Sequence, residues 1–199
     1  MKKIILASTS PRRHELAKEM GLEFEIVPSN YEEDMSLKLS VKNLALTLSL
    51  GKAKEVASRV KEGIVIGVDT FVVFAGKRLG KPKTEANACR MLKDFSGKWV
   101  EVISGIAIID AKSKKTVQDY EVTRVKFKKM TDDEIRRYVA TGEPLDKAGA
   151  FAIQGLCAIF IERIVGCHTN VIGFPCHNIY KNLAKFGVNI FDYEKWKLL

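Results

Sequence analysis

The stretch Ser8–Arg13, with sequence S-T-S-P-R-R, places hydroxyl groups and two guanidinium groups where an apolar segment, Ile4–Ala7, gives way to a helix pattern. Pro11 suits the first position of a helix, and Ser10 can cap the free amides there. A helix N-terminus attracts anions, and guanidinium groups bind phosphate oxygens in bidentate pairs. The stretch therefore predicts a phosphate-binding site, with an ordinary capped helix carrying solvated arginines as the alternative.

Four further polar clusters follow apolar segments, which is where α/β proteins assemble their sites. The pair Asp69-Thr70 ends a predicted buried strand, where a carboxylate is costly unless it binds a metal, accepts hydrogen bonds or points into a cleft. The others are the stiff loop Leu79–Pro82, the charged and glycine-rich loop Glu143–Gly155, and the segment Asn170–Pro175. Taken singly, these also fit a structural aspartate, a solvated loop lysine and simple turn chemistry.

The chain has 199 residues, of which 46% are hydrophobic, and a net charge of +9. This length is enough to bury a core as one domain or as two closely packed lobes. The positive charge favours an anionic partner, which is nucleic acid, a membrane surface or a phosphorylated small molecule. Because the basic residues are spread along the chain without aromatic interleaving, nucleic acid is the minority interpretation.

The four cysteines lack C-x-x-C spacing, which argues against a structural zinc site and favours free thiols. The chain shows no signal-peptide pattern and no apolar run of about 18 residues. The sequence therefore predicts a cytoplasmic protein that does not enter a membrane.

Hydrophobic periodicity predicts a mixed α/β fold. Strands are expected at residues 4–7, 24–28, 64–68, 71–74, 100–109, 117–127 and 158–165. Helices are expected at residues 11–20, 41–60, 85–95, 131–142 and 176–186. The second is expected to be capped by Ser40, the third to begin at Thr84, and the fourth to open with the capping box Thr131–Glu134. Parallel and hairpin-linked strands without a linker between them predict a two-lobed architecture with a ligand cleft.

Taken in order, these motifs resemble the Maf proteins, a family of nucleoside triphosphate pyrophosphatases, over essentially the whole chain. The resemblance rests on S-x-S-P-R-R at Ser8–Arg13, the acidic pair Glu32-Glu33, Lys52, G-V-D-T at Gly67–Thr70, G-K-P at Gly80–Pro82, D-K-A-G at Asp146–Gly149, I-Q-G at Ile153–Gly155 and N-V-I-G at Asn170–Gly173. It implies a two-lobed α/β fold, similar to the inosine triphosphate pyrophosphatases, with an elongated mixed sheet flanked by helices and the active site in the cleft between the lobes. It also implies one domain over residues 1–199 and leaves a homodimer open, because members of the family are often dimeric.

The implied reaction is hydrolysis of a nucleoside triphosphate at its α-phosphate, which releases a nucleoside monophosphate and pyrophosphate with the help of Mg²⁺ or Mn²⁺. Asp69 matches the family's proposed proton acceptor. Asp69 and Glu33 match the acidic positions that hold the metal, with Glu32 in reserve. The amides after Ser8 and the Lys147 ammonium are assigned to the substrate. The cations suited to neutralise the departing pyrophosphate are Arg12, Arg13, Lys52 and Lys81.

Base selection is implied at three positions. Arg12, Thr70 and Gln154 match the combination found in the family branch that prefers dTTP and UTP, and an amide such as that of Gln154 can pair with a pyrimidine edge. Three departures from the commonest family pattern lie at Thr9, Phe151-Ala152 and Phe174. The resemblance thus implies that the protein removes ordinary or modified pyrimidine nucleotides from the nucleotide pool. The three departures imply a base pocket whose shape differs from that of the commonest family pattern.

Two interpretations from other classes compete with an enzyme. The chain can be a regulatory nucleotide-binding protein of septum formation whose hydrolysis is incidental, but binding a polyanion does not call for carboxylates such as Asp69 and Glu33 unless a metal intervenes. An RNA-binding module of anticodon-domain type predicts salt-dependent binding to RNA and no turnover.

Overall fold

The computed structural model describes residues 2–193, which form seven strands and six α-helices. In chain order they are β1 (Ile4–Leu6), α1 (Pro11–Glu19), β2 (Phe24–Ile26), α2 (Val41–Arg59), β3 (Ile64–Phe74), β4 (Lys77–Leu79), α3 (Glu85–Phe95), β5 (Trp99–Asp110), β6 (Thr116–Phe127), α4 (Asp132–Ala140), β7 (Ile161–Val165), α5 (His168–Ile172) and α6 (Cys176–Ala184). The predicted mixed α/β class is confirmed. Among these described helices, none is both long and apolar enough to cross a membrane.

The strands form one mixed sheet in the order β2-β1-β3-β5-β6-β7, with β4 paired to β3 outside this path. Strand β1 is parallel to both of its neighbours, and its Ile4 is in register with Phe24 and Ile64. Strands β3 and β4 are antiparallel, and Phe74 opposes Lys77 at their turn. Strand β7 closes the order antiparallel to β6. The mixed sheet flanked by helices is therefore as predicted.

The contacts of the chain divide it into two compact units. The first contains the chain up to Thr70, Ser104–Glu121 and the chain from Gly173 onward, and the second contains Phe71–Ile103 and Val122–Ile172. The single domain over residues 1–199 and its cleft between lobes stay predictions. Met1 and residues 194–199, which that domain includes, lie outside the described residues.

In the first unit, helix α2 packs unusually close to the sheet. A Cβ atom at Gly67 would lie 2.4 Å from the carbonyl oxygen of Ser49, and one at Gly105 would lie 2.2 Å from that of Ala45. Only glycine allows this approach of helix backbone to strand backbone. The core beneath it consists of small and branched side chains, among them Ile5, Ala53, Val56, Val65 and Ala107. The close packing holds α2 against the middle of β3.

The second unit has an aromatic core. Phe127 and Phe151 meet edge to face with their ring centroids 5.1 Å apart, and Phe95 contacts both rings. Such pairs contribute beyond the area that they bury. Helices α3 and α4 pack on each other in this unit. The core therefore supports the loops that follow α4, where several predicted site residues lie.

The caps read from the sequence are confirmed at three helices. Ser40 and Thr84 each accept a hydrogen bond from a backbone N–H of the first turn of α2 and α3. At α4, Thr131 and Glu134 form the reciprocal capping box. These signals are local, which is why the starts of the three helices agree with the prediction.

Three element predictions are wrong. The expected strands 64–68 and 71–74 are one continuous strand, β3, so that Asp69 and Thr70 lie inside it and not at its end. A polar pair fits there because long-range partners, described below, satisfy both side chains. The expected strand at 158–165 begins only at Ile161, after a 3₁₀ turn over Leu156–Phe160. Helix α5, at His168–Ile172, lies where no helix was predicted.

Candidate active site

The turn before α1 differs in one detail from its prediction. Pro11 does begin the helix, but the Ser10 side chain makes no capping hydrogen bond. The reason is that the turn folds on Ser8, whose Oγ accepts hydrogen bonds from the Ser10 N–H at 3.2 Å and from the Arg13 guanidinium at 3.3 Å. The backbone of Ser8 is fixed as well, because its carbonyl oxygen lies 2.8 Å from Nε2 of His14.

Arg13 is held by four groups of the first unit. Its Nε donates to the carbonyl oxygen of Gly173 at 2.9 Å, and one terminal nitrogen donates to that of Val68 at 2.9 Å and to Ser8. Its other terminal nitrogen donates to Thr70 Oγ1 at 3.2 Å. Burial lowers the pKa of Arg13, although a guanidinium stays charged in proteins. The protein thus occupies most of the donors that the sequence assigned to phosphate.

Arg12 is the contrasting neighbour. Its side chain is half-buried and makes no hydrogen bond or ion pair within residues 2–193. All five of its donors therefore remain available to an anionic ligand. Of the two predicted arginines, Arg13 is thus engaged by the protein, whereas Arg12 keeps its donors free among the described residues.

The Lys52 side chain on α2 joins the two predicted acidic residues. Its Nζ lies 2.7 Å from Oε1 of Glu33 and 2.5 Å from Oδ1 of Asp69. The Lys52 and Asp69 side chains are largely buried, whereas that of Glu33 is 40% exposed. The structure therefore brings together three predicted residues that come from a loop, a helix and a strand.

Asp69 is a carboxylate inside the sheet. Burial raises its pKa above the ordinary value, and the positive charges of Lys52 and Arg13 act in the opposite direction without cancelling this effect. A raised pKa makes a carboxylate a better proton acceptor near neutral pH. The environment of Asp69 is therefore better suited to a general base than the interior of a strand usually is.

Thr70 is satisfied by a residue that sequence reasoning missed. Its Oγ1 lies 2.8 Å from Oγ of Ser104, which is completely buried in β5. The hydroxyl of Thr70 also accepts the hydrogen bond from Arg13. The available signal was a serine inside an otherwise apolar run, Val102–Ile109. Ser104 is thus one of the partners that hold the Thr70 side chain in place, together with Arg13 and the Gly173 carbonyl oxygen.

Several of these residues line a cavity of about 210 Å³ in the first unit. Its lining combines the turn before α1 with cationic and acidic side chains, namely Ala7, Ser8, Thr9, Ser10, Arg13, Ser29, Glu33 and Lys52. Polar groups converging at a helix N-terminus are the usual surroundings of a bound phosphate. The cavity is the candidate active site.

The donor set fits a hard divalent cation. Glu33 and Asp69 already converge on one cation, the ammonium of Lys52, so their oxygens lie close enough to share a metal ion. Mg²⁺ prefers such oxygens and commonly uses one or two carboxylates together with substrate phosphates and water. Within residues 2–193 no three histidine, cysteine or acidic side chains form a metal-binding group. The protein would therefore supply only part of the coordination shell.

Two predicted lysines lie together in the second unit. The Lys81 loop is tied to the D-K-A-G segment by a hydrogen bond of 3.0 Å from the N–H of Gly149 to the carbonyl oxygen of Gly80. The Lys147 ammonium lies 2.5 Å from Oδ1 of Asp146. This hydrogen bond, aided by the charge of Lys81, lowers the pKa of Asp146. Lys81 and Lys147 therefore both lie near Asp146.

Gln154 is exposed on a loop of the second unit that a missed residue holds in place. Oε2 of Glu143 accepts a hydrogen bond from the N–H of Leu156 at 2.9 Å, and Oε1 accepts from the N–H of Cys157 at 3.2 Å and from the Tyr138 hydroxyl at 3.0 Å. Burial raises the pKa of Cys157 to about 12, so its thiol is inert. All four cysteines are free thiols, as predicted.

A mixed α/β fold that sets a buried carboxylate, a shared lysine and arginines beside a helix N-terminus is typical of enzymes that act on phosphate groups. A comparison with family models identifies which of these it is. The model described as Maf-like protein matches residues 3–186, and the chain belongs to this family.

Close relatives cover the chain almost end to end. A protein of Caldicellulosiruptor bescii named dTTP/UTP pyrophosphatase is 45% identical over 198 residues, which are 98% of this chain and 100% of the relative. Proteins of the same name from Desulforamulus reducens and Methanococcoides burtonii are 47% and 48% identical, each over 96% of this chain and over 100% and 99% of the relative. The resemblance read from the motifs is therefore confirmed.

Proposed function

We propose that this protein hydrolyses nucleoside triphosphates to a nucleoside monophosphate and pyrophosphate, with a preference for dTTP and UTP. The observation that carries the proposal is the Lys52 ammonium, which holds Glu33 and Asp69 together beside the cavity at the start of α1. The names of the relatives support the same reaction and the same bases.

In the proposed reaction, the oxygen of a water molecule attacks the α-phosphorus, and the bond from that phosphorus to the bridging oxygen of the β-phosphate breaks. Asp69 accepts a proton from the attacking water, a role for which its raised pKa suits it. Glu33 and Asp69 would hold a divalent cation, which would lower the pKa of bound water and neutralise phosphate charge. Lys52 keeps both carboxylates oriented.

The departing pyrophosphate needs compensation for its developing negative charge. Arg12, the backbone amides of the turn at Ser8, Lys81 and Lys147 are the groups assigned to this task. Arg13 acts by bracing Ser8 and Thr70, and its side chain belongs to the cavity lining. Arg12, Thr70 and Gln154 select the base.

The proposal includes a cytoplasmic location, because the substrates are made there and the four free thiols fit a reducing compartment. It names a nucleoside triphosphate and a divalent cation, Mg²⁺ or Mn²⁺, as the ligands. It assigns no role to nucleic acid and keeps a homodimer as the one further assembly to test by sedimentation.

The test is hydrolysis of a panel of ordinary and modified nucleoside triphosphates with Mg²⁺ in ¹⁸O-labelled water. We expect pyrophosphate without free phosphate, with dTTP and UTP the fastest, and the label in the monophosphate because attack is at the α-phosphorus. Asp69→Asn should abolish this turnover, and Asp133→Asn, which alters an exposed aspartate of α4, should leave it unchanged. Nucleotide binding without pyrophosphate release across the panel would instead favour a regulatory binding protein.

A further inference from the structure

Helix α2 contains a glycine where an ordinary helix would not. Gly51 lies near the middle of Val41–Arg59, and glycine in a helix interior costs about 1 kcal/mol relative to alanine. The structure shows what this residue permits. A Cβ atom at position 51 would lie 2.3 Å from Cζ of Tyr31 and 2.5 Å from both of its Cε atoms. The tyrosine ring therefore rests directly on the helix backbone.

Tyr31 belongs to the segment that carries Glu33. This segment, residues 27–40 between β2 and α2, has no helix or strand of its own and is called the Glu33 loop here. Within the loop, the N–H of Tyr31 donates to Oγ of Ser29 at 3.1 Å. The position of the loop must therefore come from what it contacts, because no regular backbone ladder fixes it.

One face of α2 supplies those contacts at three successive levels. Gly51 receives the Tyr31 ring, and the adjacent Lys52 pairs with Glu33. One turn further on, Oε2 of Glu55 accepts hydrogen bonds from Ser29 Oγ at 3.1 Å and from the N–H of Asn30 at 3.0 Å.

Arg59 provides the third set of contacts between α2 and the Glu33 loop. The guanidinium of Arg59 donates to the carbonyl oxygen of Pro28 at 2.6 Å and pairs with the carboxylate of Glu55. Positions four residues apart lie on the same face of a helix. Helix α2 thus holds the start of the Glu33 loop along two full turns.

We propose that Gly51 is a positioning residue, whose bare Cα lets Tyr31 dock on α2 and thereby places Glu33 against Lys52, opposite Asp69. The Glu33 side chain is 40% exposed, and its ion pair with Lys52 is too exposed to hold the loop alone. The half-buried tyrosine adds direct contact of its ring with the helix backbone at Gly51. This inference rests on the proposed function only in the choice of activity to measure.

The effect of a methyl group at position 51 makes the proposal testable. In a helix whose glycine has no special role, Gly51→Ala would favour the helix and leave activity unchanged. If Tyr31 must occupy that space, the new methyl group displaces the ring and the loop with it. Misplacing a site group by about 1 Å costs up to about 100-fold in rate. We therefore expect Gly51→Ala to lower turnover of dTTP by about 10- to 100-fold.

Two measurements on Gly51→Ala, Tyr31→Ala and the double variant test this expectation. The first is kcat and the Mg²⁺ concentration for half-maximal rate, and the second is hydrogen exchange of a peptide covering residues 28–36, which needs no activity. Both single variants should exchange faster there and turn over more slowly. In the double variant the two losses should not add, because the same contact is removed twice. Ser58→Ala, on the same helix and away from the loop, is the matched control.

The experiment distinguishes failure of the positioning role of Gly51 from failure of the proposed function. Unchanged loop exchange in Gly51→Ala, or losses that add fully in the double variant, would overturn the positioning role. If wild-type protein releases no pyrophosphate, the proposed function fails, while the exchange data still decide whether Gly51 positions the loop. If Gly51→Ala does not fold, Tyr31→Ala carries the same test, since it removes the ring without touching the helix.

Discussion

Nζ of Lys52 lies 2.5 Å from Oδ1 of Asp69, a carboxylate in the interior of strand β3. The ammonium offsets the negative charge, yet burial still raises the pKa of Asp69. Burial therefore opposes ionisation of this carboxylate more strongly than its cationic partners favour it, a condition that is common among groups at functional sites. Four predictions follow from this arrangement and from the residues around it.

Replacing Asp69 should affect catalytic activity and the free energy of unfolding in different ways. We expect Asp69→Asn to lower kcat by at least about 100-fold, the size of a lost general base. Because the folded pKa is raised, the carboxyl stabilises the fold while protonated and loses that contribution as pH rises through the folded pKa. The free energy of unfolding of Asp69→Asn relative to wild type should therefore rise with pH across that window and then level off. Urea unfolding between about pH 4 and about pH 8 measures this, and a constant difference would contradict it.

The adjacent arginines should behave oppositely. Arg13→Ala removes hydrogen bonds to Gly173, Val68 and Thr70, and charged hydrogen bonds contribute about 1.5–3 kcal/mol each, so the free energy of unfolding should fall by at least about 2 kcal/mol. Arg12→Ala should change it by less than about 0.5 kcal/mol, since a side chain without partners stabilises little. Its effect should appear as a higher KM and a blurred base preference. Equal stability losses in the two variants would refute the division of roles.

The dependence of turnover on a divalent cation should involve Glu33. Removal of divalent cations with a chelator should abolish turnover, and Mg²⁺ or Mn²⁺ should restore it. Glu33→Gln should raise the Mg²⁺ concentration for half-maximal rate by at least about tenfold. Glu32 makes no contact with Lys52 among the described residues, so Glu32→Gln is the matched control and should leave the requirement unchanged. A shift in the Glu32 variant alone would reassign the metal ligand.

Base preference should depend on Glu143 through the loop that carries Gln154. Glu143→Ala frees the N–H groups of Leu156 and Cys157, which should lower the ratio of kcat/KM for UTP to that for CTP while costing about 1–3 kcal/mol of stability. Glu143→Gln keeps an acceptor and should retain most of the ratio. The exposed Glu162 is a control position for the alanine change. An unchanged ratio in Glu143→Ala would mean that Gln154 needs no such support.

Much of the fold was readable because its signals are local. The caps at Ser40, Thr84 and Thr131 depend on residues three positions apart, and the starts of those helices came out as predicted. The continuation of β3 through Asp69 was not readable, because the polar pair looks like a strand end until Lys52 is in place beside it.

The motifs alone determined the family, the type of chemistry and the residues to examine, since chain order and side-chain type are properties of the sequence. The tertiary structure decided the division of labour among them. Arg13 reaches Gly173 across 160 positions, and Tyr31 reaches Gly51 only because the loop folds back on α2. A guanidinium binds whichever acceptors surround it, and a glycine permits whatever packs on it. Those neighbours are set by the folded chain, which is why Arg12 and Arg13 look alike in sequence and differ in role.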